Sequence, residues 1–166
     1  MNKIAIYPGT FDPVTHGHVD LIKRGIKIFD KLIVAVAHNP DKNPLFTVFE
    51  RVDMLKEITK SMKNVEVDDF NGLLVDYVHV KEANVVLRGV RAFSDFEYEF
   101  QMALTNRKLS SDIETIFMMP NESFSYVSSK TIKQIASMNA DISKFVPKVV
   151  EEYLKKKVNK GFKPLV

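Results

Sequence analysis

The sequence predicts an α/β protein built on a doubly wound, parallel five-stranded sheet in the order 3-2-1-4-5, with a C-terminal helical segment. Two observations predict it. Apolar runs of strand length recur with helical patterns between them, and strands alternating with helices imply a mostly parallel sheet covered on both faces. A third places a site on that frame: the first apolar run empties through Gly9-Thr10-Phe11-Asp12-Pro13-Val14-Thr15-His16-Gly17-His18 into a helix start. A strand passing through a Gly/Pro-bearing turn into a helix is how such folds build anion sites.

In chain order, the first strand is expected over Lys3–Tyr7 and the first helix on the repeat Val19, Ile22, Ile26, Phe29. Leu32–Ala37 reads as the second strand. The stripe Val48, Val52, Leu55, Ile58 reads as the second helix, opened by the capping box Thr47-x-x-Glu50. Val65–Asp68 is the third strand, and Leu74, Val75 and Val78 suggest a shorter helix after it. Val85–Leu87 is the fourth strand. Phe96, Phe100, Ala103 and Leu104 form the next stripe, with a second capping box at Ser94-x-x-Glu97. Glu114–Met118 is the fifth strand, and Ile132, Ile135 and Ala136 open a further helix. All these stripes are expected in the core. From Pro147 the chain reads as one last helix, Val149–Val158, and a Gly/Pro-containing tail. The 166 residues thus read as one Rossmann-like domain, a core over about 1–145 and a helix with a lysine-rich tail over 146–166.

Composition excludes several classes. There are no cysteines, hence no disulfide, thiolate metal site or cysteine nucleophile. No stretch approaches the roughly 18 apolar residues of a membrane span, and the start MNKIAIYPG is too short for a signal peptide, so a cytoplasmic place is expected. The pI near 9.0 suggests nucleic acid, but from Pro147 onward six lysines stand against two glutamates, leaving the rest near neutral. That cluster suits a solvated helix end, where the macrodipole favours cations, better than a nucleic-acid patch.

Phosphate chemistry has to come from an unusual construction, because no G-x-x-x-x-G-K-[ST] loop, G-x-G-x-x-G fingerprint or G-x-S-x-G elbow is present. No His/Asp/Glu cluster has zinc spacing either. The first loop offers a route. Thr15 can cap the helix, and Gly17 admits a ligand to its first turn. His18 then stands where backbone N–H groups favour an anion, able to donate to a phosphoryl oxygen as charge builds. His18 also suits a plain surface residue, and Thr10 a turn former. Arg88-Gly89-Val90-Arg91, directly after the fourth strand, suits phosphate recognition by forked guanidinium groups. In the order 3-2-1-4-5, strands 1 and 4 are neighbours at the switch point, so both loops face one crevice. Phe124-Ser125-Tyr126-Val127-Ser128-Ser129-Lys130 adds hydroxyls and a lysine at another helix start, or ordinary capping by Ser128 or Ser129. Lys42 reads as a surface lysine or a phosphate clamp.

These residues carry a resemblance. Thr15-x-Gly17-His18 resembles the [TH]-x-G-H signature of the nucleotidyltransferase superfamily. Tyr7 to Pro13, Arg88-Gly89-x-Arg91, the run Asp95-Phe96-Glu97-Tyr98-Glu99 and Ser128-Ser129 resemble the bacterial phosphopantetheine adenylyltransferases, over roughly residues 1–155. The resemblance implies transfer of the adenylyl group of ATP to 4′-phosphopantetheine, giving dephospho-coenzyme A and pyrophosphate, with Mg²⁺ required and a homohexamer as the assembly. It implies that His18 stabilises the transition state and that Thr10 holds the reacting phosphates. It further implies that Lys42 and Arg88 bind the acceptor phosphate, with Leu74 near the pantetheine arm. Phe11, Gly89, Val90, Arg91, Glu99 and residues 124–130 would serve ATP. No carboxylate cage for Mg²⁺ stands out, as expected for an ion carried on substrate phosphates. Lys130 and Gln134 stand where serine or threonine, and glutamate, are expected. An adenylyltransferase using another acceptor, such as nicotinate mononucleotide, and a non-catalytic nucleotide or coenzyme A sensor are the rival readings. Intact Thr10 and His18 count against the sensor.

Overall fold

The computed structural model describes residues 3–39, 43–159 and 161. Five parallel strands are present: β1 (Ile4–Gly9), β2 (Lys31–Ala37), β3 (Val65–Phe70), β4 (Val85–Gly89) and β5 (Glu114–Met118). Their order is β3-β2-β1-β4-β5, as the sequence predicts. The helices are α1 (His16–Gly25), α2 (Val48–Thr59), α3 (Leu74–Val80), α4 (Phe93–Leu109), α5 (Ser129–Ser137) and α6 (Lys148–Asn159). A 3₁₀ turn, Glu122–Phe124, precedes α5.

Burial divides the core into two layers. On one face Val19, Ile22, Met54, Leu55, Ile132, Val150 and Leu154 bring α1, α2, α5 and α6 onto the sheet. On the other, Val75 and Val78 of α3 pack with Ile6, Ile33, Val86 and Ile113. The central strands are covered on both sides, which is why β2 reads as an unbroken apolar run.

Three expectations need correction. Arg88 and Gly89 do not follow the fourth strand but end it, pairing with Phe117 and Met118, because the ladder with β5 continues beyond the apolar residues. Helix α4 starts at Phe93 with Ala92 as its N-cap, so Ser94 lies inside the helix and not at the N-cap position that a box would require. Asp95 instead takes the Arg91 N–H at 3.3 Å. The Phe96 stripe is not core either: Phe96, Phe100 and Leu104 are 42%, 45% and 49% exposed. The apolar residues of α4, Phe93 and Met102 among them, are spread around the helix, so seating one stripe cannot cover the rest. The Thr47–Glu50 box forms in both directions, with N···O distances of 2.8 and 3.2 Å.

Candidate active site

Helix α1 begins at the C-terminal edge of the sheet with a reciprocal cap. The Thr15 hydroxyl accepts the His18 N–H at 3.4 Å, while the Thr15 N–H donates to Nδ1 of His18 at 3.0 Å. That second bond makes Nδ1 an acceptor, so the neutral ring carries its proton on Nε2. Burial pulls the His18 pKa down to about 4, and Arg91 and then Arg88 push the same way. The result is an uncharged imidazole whose free donor is Nε2–H. His16, two residues earlier, packs its ring on Phe124, with centroids 5.7 Å apart.

The folded pKa of His18 lies below its unfolded value. The native chain therefore binds fewer protons than the unfolded one between pH 6.5 and about 4, and this residue's contribution to stability falls as pH drops through that window. A ¹⁵N NMR titration is expected to show the Nε2–H tautomer at neutral pH, a midpoint near 4, and an upward shift when ATP is added. A midpoint near 6.5, or an Nδ1–H ring, would overturn this assignment.

The loop before α1 is packed from beneath. The Phe11 ring, 2% exposed, meets Tyr7 and His18 edge-on at centroid distances of 5.4 and 5.2 Å. A Cβ on Gly9 would lie 2.9 Å from that ring, so only glycine fits there. Asp12 is buried and accepts the N–H groups of Leu45 and Phe46 at 3.0 and 2.9 Å. It is also ion-paired with Lys133 of α5. The loop is thereby tied to α5 and to the segment that leads into α2.

On the other side of the switch point, Arg88 lies flat against Glu99 of α4. Its Nε donates to Oε2 at 2.6 Å, its Nη2 donates to Oε1, and its Nη1 donates to the Pro8 carbonyl at 2.6 Å. Arg91 forks onto Asp95 at 2.9 and 3.3 Å and donates to the Val127 carbonyl at 2.9 Å. The two arginines are therefore pre-oriented. Between them Gly89 admits Leu21 of α1, whose Cδ1 would stand 2.5 Å from an added Cβ.

These elements enclose a cleft of about 1020 Å³. Thr10, Phe11, His18, Arg88, Gly89, Arg91, Glu99, Val127, Ser128, Ser129 and Lys130 all line it. A second cavity of about 600 Å³ runs from Thr10 and Arg88 toward Leu74, His38, Tyr98 and Met102. The two share Pro8, Gly9, Thr10, Arg88 and Glu99, so one wall serves both. Val90, Phe124, Ser125 and Tyr126 line neither cavity. Val90 is buried behind the cleft, and Phe124 packs beside Gly17 at its rim. Lys42 lies outside the described residues.

The serine hydroxyls also resolve. That of Ser128 caps α5 by accepting the Thr131 N–H at 3.0 Å, and that of Ser129 donates to the Pro13 carbonyl at 2.7 Å. What this segment turns toward the cleft is the positive end of α5, with Lys130 and Lys133 beside it. Sequence reasoning gave no role to Asp12, Lys133, His38 or Tyr98; Asp12 and Tyr98 stand inside motifs it quoted, and no local motif marks Lys133 or His38. The cleft carboxylates Asp12, Asp95 and Glu99 are each paired with a cation. Among the described residues no group of three or more His, Asp or Glu stands together to hold a metal.

The chain is similar to known proteins in sequence and in fold. Residues 6–135 match the cytidylyltransferase-like family. The chain is 56% identical over 157 residues to a phosphopantetheine adenylyltransferase of Natranaerobius thermophilus, covering 95% of this chain and 97% of that one. It is 54% identical to the phosphopantetheine adenylyltransferase of Caldanaerobacter subterraneus subsp. tengcongensis, covering 96% of this chain and 99% of the relative. Among solved structures, a putative nicotinate-nucleotide adenylyltransferase of Vibrio parahaemolyticus is similar in fold. Its TM-score is 0.70 at 18% identity, with 93% of this chain and 99% of that one covered.

Proposed function

This chain belongs to the cytidylyltransferase-like family and, within it, to the phosphopantetheine adenylyltransferases, and we propose that its two joined cavities divide the substrates of that reaction between them. The enzyme transfers the adenylyl group of ATP to 4′-phosphopantetheine, giving dephospho-coenzyme A and pyrophosphate in coenzyme A synthesis. The observation that carries the division of labour is the shared wall of Thr10, Arg88 and Glu99. In this reading the larger cleft takes ATP, and the second cavity, with Leu74 along it, takes the pantetheine arm. The two phosphates to be joined meet at Thr10.

The chemistry needs little beyond alignment. An oxygen of the acceptor phosphate attacks the α-phosphorus; the bond from that phosphorus to the bridging oxygen breaks, and pyrophosphate leaves with the electron pair. The nucleophile is already largely ionised near neutral pH, so no general base is required. Charge accumulates on the α-phosphoryl oxygens, and we assign Nε2–H of His18 to stabilise it there. Thr10 and Arg88 orient the acceptor phosphate, with Lys42 assigned to the same phosphate on the family resemblance. Gly89, Val90, Arg91, Glu99 and residues 124–130 are assigned to ATP; Val90 and Phe124 would act by shaping the wall from behind. The positive ends of α1 and α5 face the polyphosphate, Lys133 and Lys130 adding charge at the second.

Mg²⁺ enters this proposal as the counter-ion of ATP. The paired state of Asp12, Asp95 and Glu99 fits an ion held by phosphate oxygens and water rather than by a protein cage. When bound it would neutralise phosphate charge. We further propose a homohexamer; the resemblance gives the number, and the exposed Phe93, Phe96, Phe100 and Leu104 of α4 supply an apolar surface for self-association. With ATP as a substrate, we place the reaction in the cytoplasm; no helix among the described residues is long and apolar enough to cross a membrane.

The direct test offers the purified protein ATP and Mg²⁺ with either 4′-phosphopantetheine or nicotinate mononucleotide and measures pyrophosphate release. Release is expected with the first alone. Release only with the second overturns the acceptor, and tight binding with no release from either points to a sensor.

A further inference from the structure

Arg51 is among the largest fully buried side chains of the described residues, 1% exposed on the inner face of α2, and it lines neither cavity. Its guanidinium forms no ion pair among the described residues. All four of its acceptors are main-chain carbonyls. Nε donates to Phe46 and Thr47 at 3.1 and 3.3 Å, and Nη1 donates to Thr10 and Ala37 at 2.8 and 2.9 Å. Desolvating a guanidinium costs several kcal/mol, so if filling space were its only role an apolar residue would serve at lower cost, as Met54 and Leu55 do nearby.

The positions of the two Nη1 acceptors give the reason for a charge. The β1–β2 ladder ends at the pair Gly9–Val36. Thr10 and Ala37 are the next residue of each chain, where the backbones part. Nη1 bridges their carbonyls across that opening, replacing the missing rung. Thr10 lines both cavities and Ala37 lines the second.

We propose that Arg51 is a positioning residue that fixes the Thr10 main chain against the end of β2 and so sets the acceptor arm relative to the point of transfer. This rests on the assignment of the second cavity to the acceptor. The anchor on α2 reaches the same point from Phe46 and Thr47, so the helix, both strand ends and the transfer site move together. Lysine at 51 keeps the charge but has one nitrogen in place of two, so it cannot bridge Thr10 and Ala37 while also holding Phe46 and Thr47.

The test compares wild type with Arg51→Lys and Arg51→Met, each well below its own thermal midpoint. In Arg51→Lys without substrate, the Thr10 carbonyl ¹³C and Phe11 amide ¹⁵N shifts are expected to move, which reads the clamp alone. The apparent KM for 4′-phosphopantetheine is expected to rise about tenfold while that for ATP stays within about twofold, with turnover lower still in Arg51→Met. Unchanged shifts and unchanged KM values in folded Arg51→Lys overturn the proposal, as do equal losses for both substrates. Should neither variant fold, the wild-type protein decides: 4′-phosphopantetheine must perturb the Arg51 Nε resonance, and its silence rejects the role. Failure of wild type to release pyrophosphate with this acceptor defeats the functional reading instead, and leaves the substrate-free shifts to judge the clamp.

Discussion

His18→Ala is expected to lower turnover by roughly two to three orders of magnitude while leaving the apparent KM of both substrates near wild type. The argument rests on one proton. The Thr15 N–H occupies Nδ1 at 3.0 Å, and burial with two nearby arginines keeps the ring neutral, so Nε2–H is the donor at working pH. A neutral donor fits a role that strengthens as charge shifts onto the α-phosphoryl oxygens, so its loss falls on kcat. Alanine also removes the acceptor from the Thr15 N–H, and the broken cap is expected to cost about 1 kcal/mol of stability. Steady-state kinetics beside a thermal melt separates the two effects. A fall in turnover matched by a fall in folded protein, or near-normal turnover, removes His18 from the transition state.

The sequence made this donor partly legible. Thr15 before an amphipathic run announces a cap, and His18 three residues on takes the place where a capping box ordinarily carries Glu or Gln. What the pattern could not show is that the ring would complete the box through Nδ1, which needs the backbone of Thr15 in its extended conformation. Strand order was legible because alternation and a glycine-bearing first turn restrict the topologies available. The strand ends at Arg88 and Gly89 were not, since polarity hides pairing that the ladder with β5 dictates. The α4 stripe misled for the opposite reason: periodicity marks an apolar face and is silent about what covers it. Asp12–Lys133 and Arg51–Thr10 join residues 121 and 41 positions apart. Such contacts are products of the fold, and no local spacing encodes them.

The second large effect is expected at the wall between the cavities. Arg88 and Glu99 are 27% and 12% exposed in their side chains, and two parallel bonds join them. Glu99→Ala is expected to destabilise the protein by about 3 kcal/mol, because it leaves a largely desolvated guanidinium with only the Pro8 carbonyl among its present partners. Chemical denaturation of the two single variants and the double variant measures this as a coupling energy; values that simply add would reject a coupled pair. The same cycle reads the site. In Arg88→Ala, Glu99 faces the shared wall with its partner gone, and its carboxylate repels the incoming acceptor phosphate. Removing both groups deletes that repulsion. Arg88→Ala is therefore expected to raise the KM for 4′-phosphopantetheine further than Arg88→Ala/Glu99→Ala does. Were the double variant to bind the acceptor no better than Arg88→Ala, Glu99 would not face that phosphate, and the acceptor would have to meet ATP away from this wall.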